Sequence, residues 1–314
     1  MEINTELKEV IDTLQNKNTI CLLAPSFVVD FKYPDTILNL RKIGFNKVVE
    51  LTYAAKLINM KIHDIISKNK DNNKQFICAN CPSVVKYIEA KYPQHKDKIM
   101  DIASPMVAMG RYMKNEFSNY KTVFIGPCVT KKQEAKENEA VDYAITFKEL
   151  QEIFNYFKES NLELDIPKTE ENLEFDKLYN DYTKIYPLSG GVAKTLHLNG
   201  LLTEGQVIIA DKPDGIDNSI KKMEENNKIK FLDILFCDGG CIGGPGIIST
   251  DSIEDRKQRV INYREESKKH KIGKEHFGKF KYSEGLDLSR KKWFCYTILF
   301  FKFKQNLRFC KSGI

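Results

Sequence analysis

The stretch FCDGGCIGGPG, residues 236–246, sets Cys237 and Cys241 four residues apart in a run that holds five glycines. Glycine has no Cβ and tolerates positive φ, so such a backbone can pass close to a bulky group. Its N–H groups can then point at thiolate or sulfide. A metal cluster several ångströms across would need that freedom. A plain glycine-rich turn with two incidental thiols would use it too. The run follows KFLDIL, an apolar stretch of strand length, which puts both thiols beyond the C-terminal end of a strand.

The same placement recurs along the chain. Strand-like runs alternate with helical patterns: TICLLAPSFVV (19–29), NKVVELTY (46–53), QFICAN (75–80), KTVFIGP (121–127), VDYAITF (141–147), GQVIIAD (205–211) and KFLDILFCD (230–238). Amphipathic stretches lie between them, among them 54–67, 83–91 and 147–157. This alternation predicts an α/β fold with mostly parallel sheets flanked by helices, in two lobes. Open parallel sheets bind ligands beyond the carboxyl ends of their strands. Cys78 and Cys81 follow one run, Cys128 another and Cys237 a third, so three strand ends could meet in one crevice. Residues 159–183 are acidic and poor in apolar side chains; they read as a surface excursion near the lobe boundary. Residues 1–18 read as an N-terminal helical extension.

The 314 residues carry 49 basic and 43 acidic side chains, a net charge of +6 spread along the chain. That pattern gives no basic patch for nucleic acid. No apolar run reaches the ~18 residues of a membrane span. The polar start is unlike a signal peptide, so a cytoplasmic location is expected. In a reducing compartment the eight cysteines point to metal or redox work more than to disulfides. Zinc is one option, although CxxxC is not a usual zinc-knuckle spacing. The repeated CxxC run of a ferredoxin is missing.

FICANCPSVVKYIEAKYP (76–93), SPMVAMGRYMK (104–114), FIGPCVTKKQEA (124–135) and FCDGGCIGGPG occur in that order. Together they resemble the catalytic domain of iron-only (FeFe) hydrogenases, the C-terminal domain of the large subunit. Its cysteine motifs read roughly TSCCP, MPCxxKKxE and CxxxCxxGG. LAPSF (23–27), VDYAITFKEL (141–150) and SGGVAKT (189–195) match as well. FGKFKYSEGLDLSR (277–290) looks like the sensory or regulatory version found in anaerobic bacteria. The resemblance spans about residues 19–290.

The resemblance implies that Cys81, Cys128, Cys237 and Cys241 hold a 4Fe-4S cubane. It implies that Cys241 can also bridge to a two-iron unit carrying CO and cyanide. Lys131 matches a lysine that donates to a cyanide of that unit, where a cation answers an anionic ligand. Pro25 and Ser26 match positions lining the same ligand sphere. Glu134 is expected to pair with a neighbouring cation.

The departures gather around the proton path. Asn80 stands where catalytic members have the proton-donating cysteine, and an amide does not release a proton near neutral pH. Met100 falls at a serine of the path, and Ile62 and Ile65 at its glutamates. Gly126 and Leu235 replace methionines that pack around the two-iron unit; Gly126 is expected to open space. Cys78 reads as a buried free thiol, with substitution as proton donor or cluster ligand as the alternatives. Cys21 reads as core. The histidines read mostly as surface residues. Only Cys21 precedes Cys78, so electrons would come from a ferredoxin-like carrier or a separate signalling protein.

Residues 291–314 shift abruptly to aromatic and apolar composition. A reading-frame slip at the Lys291–Lys292 codons, or a small docking element, would account for this. Cys295 and Cys310 are poor ligand candidates there. The expected function is an iron–sulfur protein with weak hydrogen oxidation or proton reduction. The alternatives are a redox or hydrogen sensor holding the cubane only, and a metal-free partner-binding domain.

Overall fold

A computed structural model describes residues 4–176, 182–198, 200–269 and 285–290. Tail residues 291–314, with Cys295 and Cys310, lie outside them, as do His270 and His276.

Among the described residues seven strands form where the apolar runs predict them: β1 (Thr19–Leu23), β2 (Lys47–Glu50), β3 (Phe76–Ile77), β4 (Lys121–Gly126), β5 (Tyr143–Thr146), β6 (Val207–Asp211) and β7 (Phe231–Leu235). They make two sheets, ordered β2-β1-β4-β5 and β3-β7-β6. Every pairing within them is parallel. β1 and β7 are buried along their whole length, as central strands covered on both faces must be. The first run is shorter than its apolar text. Pro25 cannot donate to a ladder, and Pro25–Val29 winds into a 3-10 turn.

In sequence, β3 falls between β2 and β4, so the chain leaves the first sheet for the second and returns before leaving again. The two lobes are therefore interleaved along the chain, and the boundary expected at 159–183 is one crossing of several. That excursion carries a short helix, Glu170–Leu173, and is fastened to the first sheet. The Arg41 guanidinium and the Val48 N–H both donate to the Asp176 carboxylate, at 2.8 Å each. The N-terminal segment forms helix Thr5–Asn16, whose Leu7, Val10, Ile11 and Leu14 join the first sheet's core.

A fully buried ion pair closes the first lobe. Lys184 Nζ donates to Glu50 Oε2 and to the Tyr263 hydroxyl, both at 2.6 Å, and Tyr263 donates to Glu50 Oε1 at 2.7 Å. Neither charged side chain is exposed. This joins the end of β2, the turn Tyr182–Ile185 and helix Ile253–Ser267.

Candidate iron–sulfur site

Parallel pairing puts the C-terminal ends of a sheet's strands along one edge. Several of the residues singled out in the sequence come from these edges. Pro25 and Ser26 follow β1, Asn80 and Cys81 follow β3, Cys128 follows β4, and Cys237 and Cys241 follow β7. Cys81 sits at the N-cap of helix Pro82–Lys91, where the first-turn N–H groups favour an anionic sulfur. Cys128 precedes helix Thr130–Asn138, which carries Lys131 and Glu134. Cys241 opens a short turn, Cys241–Gly243, packed against Pro25–Val29.

The thiols sense one another. Burial pushes the Cys81 thiol up, the Cys128 sulfur adds to this, and the N–H groups of Val84 and Phe236 and the Lys131 ammonium pull it back. Burial pushes Cys241 up to about 12, reinforced by Cys81 and Cys128 and opposed by Lys131. Such thiols keep their protons until a metal takes their place. Among the described residues no three His, Cys, Asp or Glu side chains are grouped to hold a single metal ion. The zinc option finds no support in this spacing; a cubane spreads its four thiolates over four separate irons. Cys81, Cys128 and Cys241 are half-buried thiols from both sheets in reach of one another and of the Lys131 ammonium, and half-buried Cys237 stands four residues before Cys241 in the same loop; this donor set is compatible with a cubane.

Two of the glycines make room for neighbouring backbone. A Cβ on Gly240, at φ +93°, would lie 2.5 Å from the Pro187 carbonyl oxygen. One on Gly244 would lie 2.6 Å from the Pro127 carbonyl oxygen. The Cys241 N–H donates to Pro187 O at 2.7 Å, and the Gly246 N–H donates to Pro127 O at 2.9 Å. At these two positions the glycines give way to neighbouring backbone, which clamps the ligand loop from two sides.

Gly126 does not open space either. A Cβ there would meet the Phe124 ring at 2.4 Å, because residues two apart on a strand share a face. Leu235 is buried, with its Cδ1 only 2.8 Å from where a Gly240 Cβ would stand. Lys131 donates to Glu134 Oε2 at 2.6 Å, the pairing expected for Glu134. The same oxygen accepts from Ser104 at 2.9 Å.

Asn80 is held by a chain of hydrogen bonds. Its Nδ2 lies 2.9 Å from the Tyr186 hydroxyl, which donates to Asn59 Oδ1 at 3.0 Å. Asn59 Nδ2 donates to Thr195 Oγ1 at 2.8 Å and to Thr195 O at 3.1 Å. Asn80 Oδ1 and the hydroxyl of fully buried Ser26 have no partner. Met100 and Ile62 are buried among apolar neighbours and Ile65 packs against them, so none can pass a proton.

Cys78 and Cys21 are buried free thiols, as expected. Cys78 is pushed up by burial and by the neighbouring Asp233 carboxyl. Asp233 is 1 % exposed in the middle of β7. Its Oδ2 accepts the Ala193 N–H at 2.8 Å and its Oδ1 has no partner. Burial raises its pKa to about 6, against the pull of the Ala193 and Val192 N–H groups and Lys194. A charged residue inside the apolar run FLDIL was a signal available in the sequence. Tyr186 gave none, because its partner Asn59 lies 127 residues away. The expectation of surface histidines fails at His95, which is buried with Nε2 2.7 Å from Glu224.

No helix among the described residues is long and apolar enough to cross a membrane. Among solved structures, the fold resembles that of an [FeFe]-hydrogenase HydA(deltaEFG), with a TM-score of 0.64 and 18% identity over 82% of this chain and 88% of that one. A single-residue variant of [FeFe]-hydrogenase HydA1 from Chlamydomonas reinhardtii matches with the same score, identity and coverage. Curated relatives include the probable cytosolic Fe-S cluster assembly factor oxy-4 of Caenorhabditis elegans, 23% identical over 70% of this chain and 59% of that protein. Iron hydrogenase 1 of Clostridium pasteurianum is 24% identical over 66% of this chain and 44% of its own length. The chain thus spans about half the length of these relatives. The family described as iron only hydrogenase large subunit, C-terminal domain, matches residues 17–245, and the chain belongs to it.

Proposed function

We propose that this chain is an iron–sulfur protein in which Cys81, Cys128, Cys237 and Cys241 hold a 4Fe-4S cubane, and that its hydrogen oxidation or proton reduction is weak at most. Its relatives include both a hydrogenase and a probable assembly factor, so the residues at the site must decide between turnover and other roles. One observation carries the proposal: Cys81, Cys128 and Cys241 lie within electrostatic reach of one another, next in sequence to Asn80, whose amide is tied to Tyr186. A bound cubane supplies one-electron chemistry. The protein surrounds it with half-buried thiols, a cation at Lys131 and a clamped glycine loop. Asn80 has no proton to lend, and Met100, Ile62 and Ile65 offer none behind it.

The two-iron unit does not fit as well. The Lys131 charge is already answered by Glu134, and the Asn80 amide oxygen is buried without a partner. These features favour electron transfer or redox sensing in an anaerobic cytoplasm. A ferredoxin-like carrier or a separate signalling protein would be the partner.

The test is an anaerobic count of iron and acid-labile sulfide after co-expression with hydrogenase maturation factors, followed by a hydrogen assay. About four of each, with little turnover, is expected. About six irons with turnover matching a cysteine-bearing relative would replace the proposal with a complete hydrogenase. Little iron in folded protein would favour the metal-free partner-binding alternative.

A further inference from the structure

A carboxylate in the middle of a buried strand carries a cost that its hydrogen bonds must answer. Asp233 lies at the centre of β7 and is buried with the rest of that strand. Its Oδ2 accepts the Ala193 N–H, and its Oδ1 is buried without a partner. An amide oxygen would hold the same N–H without a buried charge, so the hydrogen bond alone does not account for a titratable group here.

Parallel pairing sets what stands beside it. Ile77 pairs with Leu232, and the Cys78 N–H donates to Leu232 O at 3.0 Å. The next residue along each chain is Cys78 and Asp233, so these two are neighbours on one face. The Asp233 charge bears on Cys78, and both bear on the Tyr186 hydroxyl. Cys78 stands three residues before Cys81 and within electrostatic reach of it. A strand spacing of about 4.8 Å and at most about 3.5 Å per residue put Asp233 within about 15 Å of Cys81.

The groups facing Asp233 come from four elements. Phe231 and Leu235 share its face on β7, and Ile209 pairs with it from β6. Cys78 and Tyr186 keep their protons, because burial above all pushes both well up. Lys194 and the Ala193 and Val192 N–H groups, from helix Gly191–Thr195, favour the anion, but burial outweighs them and lifts the carboxyl to about 6.

We infer that Asp233 is a proton-binding site coupled to the proposed cubane: as one electron enters the cluster from its carrier, one proton from solvent binds the Asp233 carboxylate, and it leaves when the electron does. The inference rests on the proposed cubane-holding function. It gives electron transfer a proton partner, although Asn80, Met100, Ile62 and Ile65 pass none. The negative charge added to the cluster draws the proton. Across about 15 Å, at an effective dielectric of about 20, that charge raises the proton affinity about fivefold. For a one-electron couple this equals a shift of about 40 mV in potential.

The test is an equilibrium redox titration of full-length protein, reconstituted anaerobically with iron and sulfide to about four irons per chain. The cluster's electron paramagnetic resonance signal is followed at several pH values from 5 to 8, in wild type and in Asp233→Asn. Near pH 5 the carboxyl is protonated in both redox states, and the two proteins should share one potential. Past about pH 6 the wild-type potential should fall below the variant's, by about 40 mV at pH 8, where the carboxylate is ionised in both states. Other titrating groups move both proteins alike and cancel in the difference. A second reading needs no variant, and serves if Asp233→Asn does not fold. Reduction of wild type between pH 6 and 7 should bring up the C=O stretch of a protonated carboxyl in the infrared difference spectrum. A difference in potential that is zero or the same at every pH, or reduction without that carboxyl band, would overturn the inference and leave the proposed function standing. Failure of wild type to load about four irons would sink the proposed function itself, and this inference with it.

Discussion

Asp233→Asn should stabilise the protein at neutral pH and leave it little changed in acid. The carboxyl is 1 % exposed, and its pKa is raised from 3.8 to about 6 by burial. That is a shift of roughly two units, at about 1.4 kcal/mol each, so the penalty for folding with this group ionised is about 3 kcal/mol. The sign follows from proton counting. Below the unfolded value both states are protonated and the group contributes nothing. Between about pH 4 and 6 the unfolded chain loses its proton first, so stability falls as pH rises. Above about 6 the whole penalty is present. An asparagine oxygen can still accept from the Ala193 N–H at the Oδ2 position, so the substitution removes the charge and keeps the bond. Urea unfolding of both proteins at several pH values from 4 to 8 would measure the difference. Curves that coincide near pH 4 and separate by about 2–3 kcal/mol at pH 7, with the variant higher, are expected. Parallel curves, or a variant less stable throughout, would refute the assignment of Asp233 as the strained group.

Two further outcomes follow from the packing. Lys184→Met should cost about 3–5 kcal/mol in urea unfolding, because it strands the Glu50 carboxylate in a fully buried site; adding Glu50→Leu should recover much of the loss, and failure of the pair to recover would mean that the lysine's packing matters more than its charge. Gly240→Ala should cost at least about 1–2 kcal/mol from its left-handed backbone alone and lower iron retention, since its Cβ would strike Pro187 O; unchanged stability and iron content would show that the loop is not clamped there.

The sheets were legible because seven apolar runs of strand length alternate with amphipathic segments, and burial on both faces requires that pattern. β3 is only Phe76–Ile77, although the Cys78 N–H still donates to Leu232 O of β7 at 3.0 Å. The interleaving of the lobes was not legible: strand order comes from pairing between distant runs, which no local pattern records. The places of the cysteines after β3, β4 and β7 could be read from the sequence, since each follows an apolar run directly. What surrounds them could not. Gly126 looked like added space until the Phe124 ring proved to fill it. That Pro187 and Pro127 lie against two glycines of the loop was recorded in no local pattern. The oriented bonds from Thr195 through Asn59 and Tyr186 to Asn80 join parts of the chain more than a hundred residues apart.

The clamp on that loop ties two of the matched cysteines together through the backbone. The turn bearing Cys241 is gripped by Pro187 O, and the same loop is gripped at Gly246 by Pro127 O, one residue before Cys128. Strain that pulls on either proline is carried by a few backbone bonds to sulfurs that would each bear an iron. Pro127 and Pro187 are both buried, so a shift of either segment inside the protein would reach Cys241 and Cys128 through the backbone alone.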